Sequence, residues 1–184
     1  KINSSFGKDI KLQSDLDSEK IIFDILLSES DIPILSEEFG SFERKSKNNY
    51  RWIVDPLDGT LNYSRSISIN CISIGLWDGD KPLLGVIYDF VHDSILTGIV
   101  GESAKLNGES IFTSEIINKK EAILCTGFPV YSNFSTENLL KFISEIQDFK
   151  KIRLLGSAAI SLSLVAKGAV EAYKENDIAI WDVA

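Results

Sequence analysis

Residues 52–63 read WIVDPLDGTLNY, a short apolar run ending on two aspartates, a proline, a glycine and a threonine. Trp52, Ile53 and Val54 have the character of a buried strand leaving a core. Pro56 fixes φ and has no N–H, and Gly59 permits backbone conformations that other residues resist. A tight turn that uses both can aim the carboxylates of Asp55 and Asp58, with the carbonyl of Leu57, at one point. Oxygen ligands of that kind suit a hard cation such as Mg²⁺, and the amides of Gly59 and Thr60 are placed to form an anion-binding nest. The same letters are also ordinary turn chemistry. Taken alone, the stretch supports both readings.

Before it, Leu16, Ile21, Ile22, Ile25, Leu26 and Leu27 recur at helical spacing from Asp15 to about Ser30, with Ser14 as the expected N-cap and Asp15, Asp17 and Glu19 in the first turn. DIPILSEEFG, residues 31–40, reads as a short strand entering a turn that carries Glu37 and Glu38, and a polar loop is expected over residues 41–50. The Glu37–Glu38 pair is either a solvated acidic turn or further carboxylate within reach of Asp55.

After it, residues 68–77, 82–91 and 94–100 are apolar or alternating runs that read as strands. WDGDKP and KLNGES between and after them are hairpin signals, the Asn-Gly of the second marking a type I′ turn. From about residue 120 the period changes. AILCTGF reads as a strand, STENLLKFISEIQ as an amphipathic helix capped by Ser135 or Thr136, KIRLL as a strand, GSAAISLSLVAKG as a helix ended by Gly168, and AVEAYKE as a strand. Helices layered on sheet are expected, with residues 1–120 forming an α+β half and 121–184 the start of an α/β half. Gly156, Ser157, Ala158 and Ala159 leave the first N–H groups of their helix open to a ligand, or simply allow close packing. Asp182 beside Trp181 reads by itself as an N-cap.

The chain has 184 residues and 25% charged residues, and its formal net charge is −8. That surface argues against nucleic acid as a partner, since no basic stripe supplies counterion release. An anionic substrate would need bound cations to reverse the local sign. No apolar run approaches the ~20 residues that cross a bilayer, and no secretory signal is visible at the N-terminus. Cys71 and Cys125 are isolated from each other and fit a reducing, cytoplasmic setting. His92, the single histidine, reads as a turn residue in DFVHDSIL. The chain opens on Lys1, contains no methionine and stops after IWDVA, which reads as a piece of a longer protein lacking both termini.

DPLDGTLNY at 55–63 resembles the first signature of the inositol monophosphatase family, Asp-Pro-x-Asp-Gly-Thr-x-Asn-Phe/Tyr. WDVA at 181–184, after a Gly-Ser-Ala-Ala helix start, resembles the second, and SEE at 36–38 resembles the acidic pair upstream of the first. The three occur in the family's order along nearly the whole chain. The family belongs to the Mg²⁺-dependent, lithium-sensitive phosphatases, so the resemblance implies a layered αβαβα sandwich of the inositol monophosphatase and fructose-1,6-bisphosphatase type.

It also implies hydrolysis of a phosphate monoester by a metal-activated water. Glu37, Asp55, the Leu57 carbonyl, Asp58 and Asp182 match the positions that hold two or three Mg²⁺ ions. Thr60 and Glu37 match the groups that orient the water, and Asp15, in SDLDSEK, matches the aspartate that partners the motif threonine. Asp58, Gly59, Thr60, Ser157, Ala158, Glu175 and Asp182 match substrate contacts. A family lysine is matched by Lys1 or Lys8. A small phosphorylated polyol or sugar is the implied substrate, inositol monophosphate first. Fructose 1,6-bisphosphate, histidinol phosphate and 3′(2′),5′-bisphosphate nucleotides are rivals within the family. A homodimer is the implied assembly, and a non-catalytic phospholigand-binding scaffold is the alternative from another class.

Overall fold

The computed structural model describes residues 2–6, 9–44, 48–128 and 134–184; Lys1, Lys8 and part of the loop expected at 41–50 lie outside them. A hairpin of β1 (Ile2–Phe6) and β2 (Asp9–Leu12) leads into α1 (Gln13–Glu29). β3 (Ile34–Ser36), β4 (Gly40–Phe42) and β5 (Tyr50–Asp58) follow, then the short α2 (Thr60–Ser64). β6 (Cys71–Asp78), β7 (Lys81–Asp89), β8 (Ser94–Ile99), β9 (Lys105–Leu106) and β10 (Glu109–Ser110) complete an eight-stranded sheet in the order β10-β9-β8-β7-β6-β5-β3-β4. The last third contributes β11 (Ile123–Thr126), α3 (Thr136–Ile146), β12 (Lys151–Leu154), α4 (Ala158–Ala166) and β13 (Ala172–Lys174). Its strands form a three-stranded parallel sheet with β11 in the centre.

Ile22 and Phe23 of α1 pack on Ile34 of β3 and Val54 of β5, so α1 covers one face of the large sheet. α4 packs against β6 and β7 on one side and β13 on the other, which places it between the two sheets. α3 lies across a cleft from the ends of β11 and β13. Helix, large sheet, helix, small sheet and helix give the αβαβα sandwich. No helix of the described residues is long and apolar enough to cross a membrane.

Several expected elements sit differently. α1 begins two residues earlier than expected: Leu12 is the cap rather than Ser14, and Asp15 Oδ2 accepts the Leu12 N–H at 2.7 Å from the third helical position. Its buried apolar face is carried by Ile22 and Phe23, whereas Leu16, Ile21 and Ile25 are exposed. β4 occupies the start of the loop expected at 41–50. The hairpin signals lie where expected, with Gly79 at φ +57° between β6 and β7, and Asn107 and Gly108 at φ +50° and +87° between β9 and β10. His92 is exposed in the β7–β8 turn, its Nδ1 2.8 Å from Asp89 Oδ2. Cys71 and Cys125 are buried free thiols.

The largest correction falls on the opening stretch. β5 does not end in a tight turn at Asp55 but runs on through Asp58. Asp55 pairs with Ser73 and Asp58 with Cys71, so three steps on β5 (58 − 55) face two on β6 (73 − 71), a one-residue bulge. In a regular strand, residues three apart point to opposite faces. The extra residue returns Asp58 to the face of Asp55. Pro56 has no N–H to lose from the ladder and is fully buried within the bulge.

Gly59 follows at φ +86° and caps α2 from the left-handed region. A Cβ there would lie 2.7 Å from the Ile69 carbonyl oxygen, so both conformation and space exclude a side chain. Gly79 is left-handed too but has nothing within 4 Å of its missing Cβ. Gly59→Ala is therefore expected to lose clearly more stability in urea unfolding than Gly79→Ala, whose loss should stay near the ~1–2 kcal/mol of a left-handed alanine. Equal losses would contradict the packing of Gly59 on Ile69.

Candidate metal centre

β3 and β5 run parallel with Ser36 opposite Val54, and the next amide, Glu37 N–H, donates to the Val54 carbonyl at 3.2 Å. Glu37 thereby emerges beside Asp55. The turn that carries it is fixed from α1: Glu19, buried in the protein, accepts from the Ser36 hydroxyl and from the Phe39 N–H at 3.1 Å. On β5, Asp55 Oδ1 accepts the Leu57 N–H at 3.0 Å across the bulge, and the Ser18 hydroxyl of α1 holds the Pro56 carbonyl at 2.9 Å. These contacts leave the strand little freedom where it delivers its carboxylates.

One carboxylate oxygen each from Asp55, Asp58 and Asp182 lies within 4.8 Å of the others. Asp182 stands in the turn at 181–183, and its Oδ2 accepts the Ala179 N–H at 3.1 Å. Asp55 and Asp58 are buried, and no lysine or arginine among the described residues pairs with any of the three. Asp55 Oδ2 is a buried oxygen without a hydrogen-bond partner. A buried carboxylate with an unpartnered oxygen, set among two other carboxylates, is costly unless a cation completes it. The all-oxygen donor set fits a hard divalent ion.

The charges respond accordingly. Burial first, then the repulsion of Asp182 and Glu38, pushes the Glu37 carboxyl up to about 8. Burial and the field of Asp58 raise Asp182 to about 6. Asp55 is raised well above the carboxylate range by burial and by Asp58, Glu37 and Asp182. Asp58 is raised by burial, against which hydrogen bonds from Ser157 and the amides of Ala159 and Ala158 pull it down. Asp15, also buried, adds a smaller repulsion on Glu37.

The remaining expected residues fall around this cluster. The Thr60 hydroxyl donates to the Leu57 carbonyl at 3.0 Å. Of the two readings of the α4 start, the open one does not hold and the close packing does: Ala158 and Ala159 are buried, and Asp58 Oδ2 accepts from the Ser157 hydroxyl at 2.6 Å and the Ala159 N–H at 2.7 Å. Glu175 is half-buried, and the Tyr173 hydroxyl donates to it at 2.9 Å. Its carboxylate packs over Gly127, where a Cβ would approach it to 2.4 Å. Glu175 lines a cleft of about 550 Å³ with Thr126, Gly127, Asn138, Lys174 and Asn176.

Two supporting roles escaped the sequence reading, that of Glu19, which lies beyond the first turn of α1 where it was expected, and that of Asn62. Glu19 shares the helix face of Ile22 and Phe23, and an acid on an apolar stripe was the available signal. Asn62 donates through Nδ2 to the carbonyls of Ile69, Leu155 and Gly156 at 2.9, 2.8 and 3.3 Å, tying α2 to the loop before α4. It stood in plain view within the signature, but nothing local announced partners more than 90 positions away.

Carboxyl groups raised by folding contribute stability that is present below their unfolded values and lost as pH rises through their folded ones. Without divalent cation, the contribution of Glu37 and Asp182 is thus lost between pH ~4 and ~8. The melting temperature in chelator should fall from pH 5 to pH 8. Mg²⁺ should recover it at pH 8, by about 2.7 kcal/mol at a hundredfold excess over Kd, with little effect at pH 5. A melting temperature indifferent to Mg²⁺ at both pH values would contradict a cation site.

The description "Inositol monophosphatase family" belongs to the family model that matches residues 4–184. Among curated relatives, "Nus factor SuhB" of Pasteurella multocida is 33% identical over 172 residues, covering 91% of this chain and 63% of its own length. A "Fructose-1,6-bisphosphatase/inositol-1-monophosphatase" of Aquifex aeolicus is 32% identical over 178 residues, covering 96% and 67%. The solved inositol monophosphatase of Anabaena superposes with a TM-score of 0.84 at 37% identity, covering 92% of this chain and 68% of that one. The chain thus spans about two thirds of the length of the proteins it matches.

Proposed function

The chain belongs to the inositol monophosphatase family, and from that premise we propose that it hydrolyses a phosphate monoester at a Mg²⁺ centre, with inositol monophosphate as the leading substrate. The observation that carries this reading is the convergence of one oxygen each of Asp55, Asp58 and Asp182 within 4.8 Å, in a site where Asp55 keeps a buried oxygen without a hydrogen-bond partner. Asp55, Asp58 and Asp182 would hold two or three ions with Glu37 and the Leu57 carbonyl, which keeps a lone pair after accepting from Thr60. When bound, Mg²⁺ supplies Lewis-acid charge for the phosphate and the leaving oxygen and acidifies a water molecule.

The chain's own groups then orient the reaction. The Thr60 proton is committed to the Leu57 carbonyl, so Thr60 Oγ1 is free to accept a hydrogen bond from the attacking water. The Glu37 carboxylate beside Asp55 is the acceptor for the water's proton, while Asp15, the expected partner of Thr60, accepts the Leu12 N–H and adds its charge to the field on Glu37. Gly59 and Thr60 at the start of α2 offer backbone amides to the phosphate, whereas the Ala158 amide is engaged with Asp58 and leaves that residue to meet the alcohol part of the substrate through its side chain and carbonyl. Glu175, held by Tyr173 at the edge of the polar cleft, offers a carboxylate to a hydroxyl of the leaving alcohol. A hydroxylated leaving group finds hydrogen-bonding partners in a cleft whose polar lining includes Thr126, Asn138, Asn176 and Glu175 together with charged Lys141, Lys174, Glu145 and Asp177.

Relatives carrying the name Nus factor SuhB favour a second reading, a binding role without turnover. A phosphate-release panel over inositol, fructose, histidinol and adenosine phosphates, with and without Mg²⁺, separates the two. Mg²⁺-dependent release from inositol 1-phosphate is expected, and silence on the whole panel would favour the binding role. Asp55→Asn should lower that release by more than about 100-fold; undiminished turnover would remove Asp55 from the ligand set. Glu175→Gln should shift the preference among the panel's substrates while Mg²⁺ affinity stays unchanged. Loss of Mg²⁺ affinity in that variant would count against Glu175 as a substrate contact.

A further inference from the structure

We propose that Ser157 is a positioning residue for Asp58 rather than a contact for substrate, and that the start of α4 sets which Asp58 oxygen reaches the metal. The inference rests on the reading of Asp58 as a metal ligand and deepens it.

A serine hydroxyl has one proton, and that of Ser157 is spent on Asp58 Oδ2 at 2.6 Å. One of its lone pairs accepts the Ile160 N–H at 3.2 Å, which makes Ser157 the N-cap of α4. The residue is only 4% exposed. It therefore has neither a free proton nor an open approach with which to meet a substrate hydroxyl. Asp58 Oδ2, in turn, receives the Ala159 N–H at 2.7 Å and lies 3.8 Å from the Cys71 thiol, which donates to it. Two strong donors saturate the lone pairs of one carboxylate oxygen. Oδ1 is left as the oxygen that can turn toward Asp55 and Asp182.

The lock spans distant parts of the chain. Asp58 and Asn62 belong to the end of β5 and to α2, while their partners lie in the segment Leu155–Ala159. Asn62 grips the carbonyls just before α4 and Asp58 grips the donors at its start, so the two segments are held in register from both sides. The helix dipole places its positive end on Asp58 and favours the ionised carboxylate. A carboxylate fastened through one oxygen is pre-aimed, and outer partners of this kind typically change metal affinity by about 10–100-fold when removed.

The test titrates full-length protein with Mn²⁺, a probe for an all-oxygen site, and measures KM for inositol 1-phosphate at saturating Mg²⁺. Ser157→Ala removes the hydroxyl. Ser157→Gly removes it too, while keeping a residue type accepted at helix N-caps, and so covers a failure of the alanine variant to fold. Ser157→Thr restores the hydroxyl. The expected result is roughly a tenfold or greater loss of Mn²⁺ affinity in the alanine and glycine variants, recovery in the threonine variant and an unchanged KM. Undiminished Mn²⁺ affinity with a raised KM would make Ser157 a substrate contact and overturn the inference alone. No Mn²⁺ binding by the unsubstituted protein would overturn the metal reading and this inference with it.

Discussion

One extra residue in β5 sets the geometry on which the rest depends. Without it, the strand's two-residue period would send Asp55 and Asp58 to opposite faces of the large sheet. With it, both carboxylates leave the same face at the end of the strand. The parallel pairing of β3 with β5 then adds Glu37 from one side, and the turn at Asp182 closes from the other. The bulge is a local departure from ladder pairing, held by the Asp55–Leu57 contact and by Ser18 reaching over from α1.

Concentrating carboxylates is costly, and the fold distributes the cost unevenly. Asp58 is compensated within the protein by the start of α4, whose hydroxyl and amide donors take one of its oxygens. Asp55 is compensated only by the Leu57 N–H on Oδ1: burial, Asp58, Glu37 and Asp182 all oppose its charge, and Oδ2 has no partner. In a chain of net charge −8, the unmet remainder at Asp55 is where a divalent cation has most to contribute. The same cation would let an acidic pocket receive a phosphate.

The sequence made the chemistry of this region more legible than its shape. Asp55, Asp58, Glu37 and Asp182 were identifiable as a group from the resemblance of their motifs, and most of the order of helices and strands followed from periodicity, although the β1–β2 hairpin, β4 and α2 did not. The bulge was not, because Pro56 and Gly59 are equally at home in a tight turn, and only the register against Cys71 and Ser73 distinguishes the two. Ser14 looked like the helix cap, yet the chain enters α1 directly from β2, so Asp15 serves Leu12 instead. The small residues at 156–159 suited an open helix end as well as close packing. What fills it is Asp58, about 100 positions away, a pairing that no local pattern encodes. Asn62 escaped for the same reason.

The most direct test of the account is anomalous diffraction from crystals of the protein equilibrated with Mn²⁺. The bulge predicts a metal peak ligated by one oxygen each of Asp55, Asp58 and Asp182, with Asp58 Oδ2 still bound to Ser157 and Ala159. A Mn²⁺-saturated crystal with no peak among these carboxylates, or with Asp58 turned away from Asp55, would contradict it.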